Sequence, residues 1–284
     1  MSRLQDIELQ QKTMDTMVNI SGVFEGIASM RIAQIKNQVL QATEFFNELW
    51  HIYSQLRVDS LFRFGRGQQQ DEVSDKELFV VITAEGGFSG DIDQKLITWM
   101  LEQYDQQKQD IIVIGHHGAV QLAQNGVAFK KYFKLPVKDR NINVAPIIAE
   151  TQAYSSTVVF YQEYVSLMVQ DVKRIDLSAA VQQQGKQAKK SDDVISEATY
   201  IFEPSTYDVV DHLERSMMQI ALSQVILDSK LAQYASRFRA MSEANERADE
   251  SLSELLLLRN RAKRAVKDER LKEIISGLRK ARTT

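Results

Sequence analysis

Apolar residues recur through the C-terminal end of the chain at one steady spacing. From Leu213, alternate steps of four and three residues reach Met217, Ile220, Gln224, Leu227, Leu231, Tyr234, Phe238, Met241, Asn245, Ala248, Leu252, Leu255, Arg259, Ala262 and Val266. Most of these positions are apolar, and no Pro or Gly interrupts them. A mean step of about 3.5 residues is the period of a coiled-coil seam. The spacing predicts a helix from about Ser205 to the last few residues, roughly 110–120 Å long. Ordinary helices have about three or four turns. A stripe this long needs a partner of similar length.

The N-terminal segment repeats the pattern. The same stepping runs from Leu4 through Ile7, Gln11, Met14, Val18, Ser21, Glu25, Ala28, Ile32, Ile35, Val39, Ala42, Phe46, Leu49 and Tyr53 to Leu56. It predicts a helix of about 55 residues, roughly 80 Å long. Gly22 and Gly26 lie inside it, and a small residue there is expected to admit close approach of a second helix. The prolines Pro136, Pro146 and Pro204 all fall between the terminal segments, which are therefore free to be continuous helices.

The texture changes after Leu56. Phe64–Gly67 and Gln68–Gln70 read as a loop. Leu78–Thr83 is a short β-branched run, hence a buried strand. It ends in Gly86-Gly87-Phe88-Ser89-Gly90, and an amphipathic helix is expected from about Ile92 to Lys108. A second strand, Ile111–Ile114, runs into a turn at Gly115-His116-His117-Gly118 and a helix near Val120. Strand, glycine turn, helix, repeated, indicates a parallel α/β sheet. Thr157–Tyr164 and Val165–Ile175 read as further strands, as an antiparallel pair. Ala180–Ser196 reads as a solvated loop, and Tyr200–Phe202 as a last strand. Ser205 with Asp208 resembles a capping box opening the long helix. The predicted fold is a small Rossmann-like α/β domain (74–203) flanked by an N-terminal helix (1–57) and a C-terminal helix and shaft (204–284). The two terminal helices wind together as a long antiparallel coiled coil, with the C-terminal one projecting beyond its partner.

Composition narrows the function classes. The net charge is −3, which gives no electrostatic case for nucleic acid. The chain has no cysteine, so disulfides, thiolate metal sites and a Cys nucleophile are excluded. No run approaches the roughly 20 apolar residues of a membrane span, and no signal-peptide pattern is present. The expected location is cytosolic or peripheral to a membrane.

Candidate chemistry is sparse. The glycine turn does not spell a dinucleotide-binding fingerprint, and no phosphate loop occurs. No nucleotide, metal or other cofactor is expected. His116 and His117 have no nearby third ligand and are expected to sit in a solvated turn. Asp91 and Asp93 suit the start of a helix. No nucleophile has an evident base, so an enzyme is not expected. The last stretch of the chain is charge-rich. Arg259 falls on the seam itself, where burial against a second helix is costly. That places the end of the N-terminal helix before Arg259, with internal packing expected to give way near Met241.

The architecture and its residues together resemble the gamma subunits of F-type ATP synthases, the central rotor stalk. The resemblance runs through Glu254-Leu255-Leu256-Leu257-Leu258-Arg259-Asn260-Arg261-Ala262-Lys263-Arg264-Ala265, then Leu271, Glu273-Ile274-Ile275 and Gly277. Arg237, Ala240-Met241, Ala244 and Ala248 match upstream. Val80–Gly90 resembles the family's strand and turn, Gly115–Gly118 its G-S-K-G, and Gly26-Ile27-Ala28 with Arg31 its M-V-A-x-x-K. The chain departs from the pattern at Gly86, Arg247, Lys263-Arg264 and Lys267-Asp268. Ala84-Glu85 followed by Gly87-Phe88 is similar to the alternative, sodium-type branch.

The resemblance implies a rotor without catalytic residues of its own. Its shaft would be read by partners at Arg247, Leu252, Leu255, Arg259, Asn260, Lys263, Arg264, Ile274 and Ile275. Glu85, Gly87 and Gly90 would form the turn of the α/β domain. The implied partners are the catalytic and non-catalytic nucleotide-binding subunits of a hexamer, the epsilon subunit and the membrane ring, with no direct nucleotide and no nucleic acid. The complex would couple ion flow to ATP synthesis or hydrolysis from the cytoplasmic face of the membrane. Rival readings are a rotor-like subunit of a specialised ATPase not devoted to synthesis, and a structural coiled-coil tether.

Overall fold

The structure is a computed structural model, and it describes residues 3–55, 74–135, 142–177, 179–181, 201 and 203–283. The loop expected at 64–70, residues 182–196 of the one expected at 180–196, and the ends of the strand expected at 200–202 lie outside the described residues; Ala180 and Val181 are helical and buried, not part of a solvated loop. In chain order the elements are α1 (Arg3–Gln55), β1 (Ser74–Ile82), α2 (Ile92–Leu101), β2 (Gln109–Ile114) and α3 (His116–Gln124). They continue with β3 (Lys131–Phe133), α4 (Ala145–Thr151), β4 (Tyr154–Tyr164), β5 (Gln170–Asp176) and α5 (Thr206–Thr283). Contacts divide the chain into a larger unit, Ala28–Arg237, and a smaller one formed by Met1–Ile27 with Phe238–Thr284.

The larger unit is built on a sheet of order β3-β2-β1-β4-β5. β1 pairs in parallel with both β2 and β4, and β2 in parallel with β3. β4 and β5 form the expected antiparallel pair, with Phe160 opposite Arg174. Alternation along the strands sorts the side chains into two cores. Phe79, Val81, Ile111, Val113, Val158 and Phe160 face α2 and α3, where Leu96, Ile97, Met100 and Leu122 cover them. Leu78, Val80, Ile82, Ile112, Ile114 and Val159 face the other way. They meet Phe46 of α1, Ile147 and Ile148 of α4, and Met217, Ala221, Leu222, Val225 and Ile226 of α5. Each fully buried side chain of this size contributes about 1.5–3 kcal/mol.

This second core explains why α5 is buried so broadly here. The seam residues Met217, Gln224, Leu227 and Leu231 are covered, but so are Leu222, Ile226, Ser229, Ala232, Ala235 and Ser236. Gln224 donates to Thr43 of α1 at 3.2 Å, which marks the side turned to the first helix. The remaining buried positions serve the sheet. Small residues on that side let the helix backbone come close to the strand ends.

Local chemistry moved several boundaries. α2 stops at Leu101 rather than Lys108. Gln103 N already bonds Met100 O, and Asp105 Oδ1 then takes the N–H of Gln107 at 3.0 Å. That is an Asx turn, which competes with a continuing helix. α3 begins at His116, so the histidines sit in its first turn; His116 is exposed, as expected, whereas His117 is half-buried. Gly115 holds φ 102°, and a Cβ there would lie 2.1 Å from Thr83 O. A Cβ on Gly118 would lie 2.7 Å from Thr83 Oγ1, the atom that accepts the Gly118 N–H at 2.9 Å. The glycine–histidine sequence is therefore fixed by close packing of the β2–α3 turn on β1. β3 and α4 were not anticipated from the sequence; each is too short to display a period. α5 opens as expected, with Asp208 N donating to Ser205 Oγ at 3.1 Å and Ser205 Oγ donating to the Asp208 carboxylate at 2.6 Å.

In the smaller unit the first part of α1 packs on the last part of α5. Leu4, Ile7, Gln11, Met14, Val18, Ser21 and Glu25 are each less exposed than the residues beside them on the outer face, as the stepping requires. Gly22 and Gly26 are a correction. Nothing lies within 4 Å of a Cβ built on either, and both face outward. Stepping by four and three places Ser21 and Glu25, not the glycines, on the seam. A second correction concerns Arg259. Its Nη1 donates to Gln11 Oε1 of α1 at 2.8 Å. Lys263 pairs with Glu8 at 3.5 Å. The helices are antiparallel here, and α1 covers the seam well past Met241. An amide at the seam accepts from the guanidinium, while Arg259 Nε is buried without a hydrogen-bond partner among the described residues.

Candidate functional site

The carboxyl ends of the parallel strands are where a doubly wound sheet normally holds its ligand, in the crevice where the chain turns to opposite sides. Here that crevice lies between β1 and β4, and α5 lies across it. The polar groups that could have met a ligand meet the helix instead.

Asp93, in the first turn of α2, is the centre of this joint and is buried. Its carboxylate accepts from Ala84 N at 3.3 Å and Ser89 Oγ at 3.5 Å. It also accepts from Gln162 Nε2 at 2.7 Å, and lies 3.0 Å from His117 Nδ1. That hydrogen bond to Asp93 is the main reason the His117 pKa is raised, against the opposing pull of burial. Gln162, on β4, carries the network to α5. Its Oε1 accepts from Ser229 Oγ and, at 3.3 Å, from Gln233 Nε2. Gln233 Nε2 also donates to Ser229 Oγ at 3.0 Å.

A turn further on, α5 grips the loop after β1. Ser236 Oγ donates to Ser89 O at 2.6 Å. Arg237 donates from Nε to Gly87 O and from Nη2 to Gly86 O, each at 3.1 Å. The loop presents those carbonyls because Phe88 and Gly90 adopt left-handed φ values of 67° and 66°. A non-glycine residue there stores strain of order 1 kcal/mol or more. A Cβ on Gly90 would lie 3.2 Å from Ser236 Oγ, so Gly also permits the close approach. Glu85 fastens the loop from the other side, accepting from Leu135 N at 2.6 Å. The arrangement ties α2, α3, β4 and the β1 loop to one helix by hydrogen bonds. Among the described residues it offers no nucleophile with a base and an open substrate position.

The expected turn residues Glu85, Gly87 and Gly90 are thus brought together in one loop, with Gly87 and Gly90 against the helix and Glu85 tied to Leu135. The expected shaft residues are spread along α5. Arg247 is exposed and lies 3.8 Å from Glu243. Leu252 and Leu255 are half-buried seam positions. Arg259 and Lys263 engage α1, as above. Asn260 and Arg264 are exposed, and Ile274 and Ile275 are 59% and 49% exposed. Asp93, His117, Gln162, Ser229 and Gln233 were missed as a group. The available signal was the cluster of polar residues, Ser229, Gln233 and Ser236, inside an otherwise apolar stretch of the helix.

The family described as ATP synthase matches residues 3–279. The chain belongs to this family. Among curated relatives, the ATP synthase gamma chain of Chlorobium limicola is 25% identical over 98% of both chains, and that of Acetivibrio thermocellus 24% identical over 98% of both. A solved chain from Euglena gracilis mitochondrial ATP synthase, in an OSCP/F1/c-ring assembly, aligns with a TM-score of 0.66 at 14% identity, covering 96% of this chain and 94% of that one. A chain from the central stalk and c-ring of Tetrahymena thermophila mitochondrial ATP synthase aligns with a TM-score of 0.56 at 14% identity, covering 79% and 99%. The ATP synthase family thus shares this fold of terminal helices packed around a mixed sheet. The joint described here lies within the matched region.

Proposed function

We propose that the chain is the central-stalk rotor of an F-type ATP synthase or ATPase, a non-catalytic gamma subunit coupling ion flow through a membrane ring to nucleotide chemistry in a hexamer. One observation carries this reading beyond family membership. Past Lys263, which pairs with Glu8 of α1, α5 continues to Thr283, and its described side chains stay exposed. Leu271, Ile274, Ile275 and Leu278 form an apolar stripe there, 49–63% exposed, at i, i+3, i+4 and i+7. An exposed stripe of that period calls for an apolar sleeve supplied by other subunits.

Arg247, Asn260 and Arg264, exposed on α5, are the polar shaft positions open to the nucleotide-binding subunits. Leu252, Leu255, Arg259 and Lys263 belong to the helix pair that stiffens the shaft. An asymmetric shaft presents a different face to each catalytic subunit and so favours a different conformation in each. It must interact differently with open and closed states, or it could shift no equilibrium. The epsilon subunit and the membrane ring would hold the α/β domain. No described helix is long and apolar enough to cross a membrane, which agrees with a peripheral position against the ring.

The test is purification of the tagged chain from its own cells. Recovery with a hexamer of nucleotide-binding subunits is expected. Recovery as a stable homodimer without them would overturn the proposal. Ile274→Asp with Leu278→Asp should abolish ATP-coupled ion transport while leaving the complex assembled through the α/β domain.

A further inference from the structure

In the smaller unit, the contact between Gln11 and Arg259 at 2.8 Å sets which seam residues face each other. Stepping away from it in opposite senses along the antiparallel helices puts Met14 opposite Leu255, Val18 opposite Leu252, Ser21 opposite Ala248 and Glu25 opposite Asn245. The first two of these layers have large apolar side chains on both helices. The next two have none. Ser21 and Ala248 are small and buried. Glu25 and Asn245 are polar, and Asn245 Oδ1 is buried without a hydrogen-bond partner among the described residues. Little apolar area holds the pair together over this turn, and the unsatisfied acceptor weakens it further.

The backbone is weak at the same place, and on one helix only. Gly22 and Gly26 are exposed in the interior of α1, and a Cβ on either would meet nothing within 4 Å. Each makes local opening about two- to fivefold easier than alanine would. Just before them, Thr16 Oγ1 donates to Lys12 O and Asn19 Nδ2 to Asp15 O, each at 2.8 Å. Such back-bonds compete with the helical ladder. α5 has no glycine before Gly277. Opposite the glycines it is supported by Glu243 and Arg247, 3.8 Å apart across one turn, a pairing that stabilises a helix.

We propose that Ser21–Gly26 is a built-in weak turn of α1, which opens ahead of the rest of the helix pair while α5 stays helical opposite it. The arm before the turn is docked by the apolar layers at Met14 and Val18, by Gln11 on Arg259 and by Glu8 on Lys263. It therefore stays in place when the turn opens. In a rotor, twist applied to the helix pair would be taken up in α1 at this turn and spare the docked layers. That consequence rests on the rotor reading; the weak turn itself does not.

The test is hydrogen exchange of the full chain, in wild type and in Gly22→Ala with Gly26→Ala. In wild type, the amides of residues 20–27 should be less protected than those of 11–18 on the same helix and of 243–250 on α5. The two alanines should raise protection at 20–27 about tenfold and leave the sheet unchanged. Gly277→Ala, at an exposed glycine of α5, should leave 20–27 as in wild type. Equal protection at 20–27 and 11–18 in wild type would overturn the proposal. So would protection at 20–27 that the two alanines do not raise, or faster exchange at 243–250 than at 20–27. Exchange is read on the chain alone, so its failure leaves the rotor reading standing, and purification of the complex decides that reading separately.

Discussion

Gln162 donates its side-chain amide to Asp93 at 2.7 Å, and its carbonyl oxygen accepts from Ser229 of α5. One side chain on β4 therefore links a carboxylate in α2 to the long helix. A glutamine suits this position because it is both donor and acceptor. Gln162→Leu would leave Asp93 and Ser229 short of partners in a buried site, which costs about 2–4 kcal/mol. Gln162→Glu would set a second carboxylate against Asp93 and cost more. Chemical unfolding of the full chain should rank wild type above Gln162→Leu, and Gln162→Leu above Gln162→Glu. A Gln162→Leu variant as stable as wild type would show that the network carries no stability.

Arg237 tests the joint without disturbing the buried core. It is partly exposed, and its fork spans the Gly86 and Gly87 carbonyls. Lysine keeps the charge but loses the planar, paired donors. Arg237→Lys should therefore lose about 1–2 kcal/mol of loop anchoring while retaining the fold. The expected consequence is lower ATP-driven ion transport per ATP hydrolysed by the assembled complex. Hydrolysis alone should change less. If Arg237→Lys couples as well as wild type, the carbonyl clamp does not carry torque.

Periodicity made the terminal helices legible to within a residue or two, because long stripes average out local noise. It did not reveal the second burden on α5. Leu222, Ile226 and Ala232 are buried off the seam, against a sheet whose position no local pattern encodes. Arg259 was misread for a related reason. Its charge argued against a covering helix, yet Gln11 on the facing stripe supplies an acceptor. Long-range partners decide such cases, and spacing along one helix does not identify them. The joint was hidden in the same way: Asp93, His117, Gln162 and Ser229 are scattered in sequence and meet only where the strands end.

Asn245 lies on the seam in the smaller unit, and its Oδ1 is buried without a hydrogen-bond partner among the described residues. A polar seam residue fixes register at a cost in stability. Asn245→Leu should raise the thermal midpoint of the chain, by the equivalent of about 1 kcal/mol. An unchanged or lower midpoint would mean that the side chain is satisfied in solution.

Acidic groups on α5 give the fold a definite pH dependence. Glu214 is raised from 4.5 to about 7, by burial first and then by the charge of Asp211. Asp228 is raised from 3.8 to about 6, by burial and then by Glu163. A raised pKa means that the folded chain holds the proton more tightly than the unfolded one. The resulting stability is fully present below the unfolded values and is lost as pH rises through the folded ones. His117, raised by Asp93, acts in the same direction from its ordinary value upward. The thermal midpoint should therefore fall as the medium goes from about pH 4 to about pH 7. Asp228→Asn with Glu214→Gln removes the two carboxylates and should flatten that fall, leaving the part due to His117 above about pH 6.5. The same slope in the double variant and in wild type would show that these groups are solvated in the folded chain.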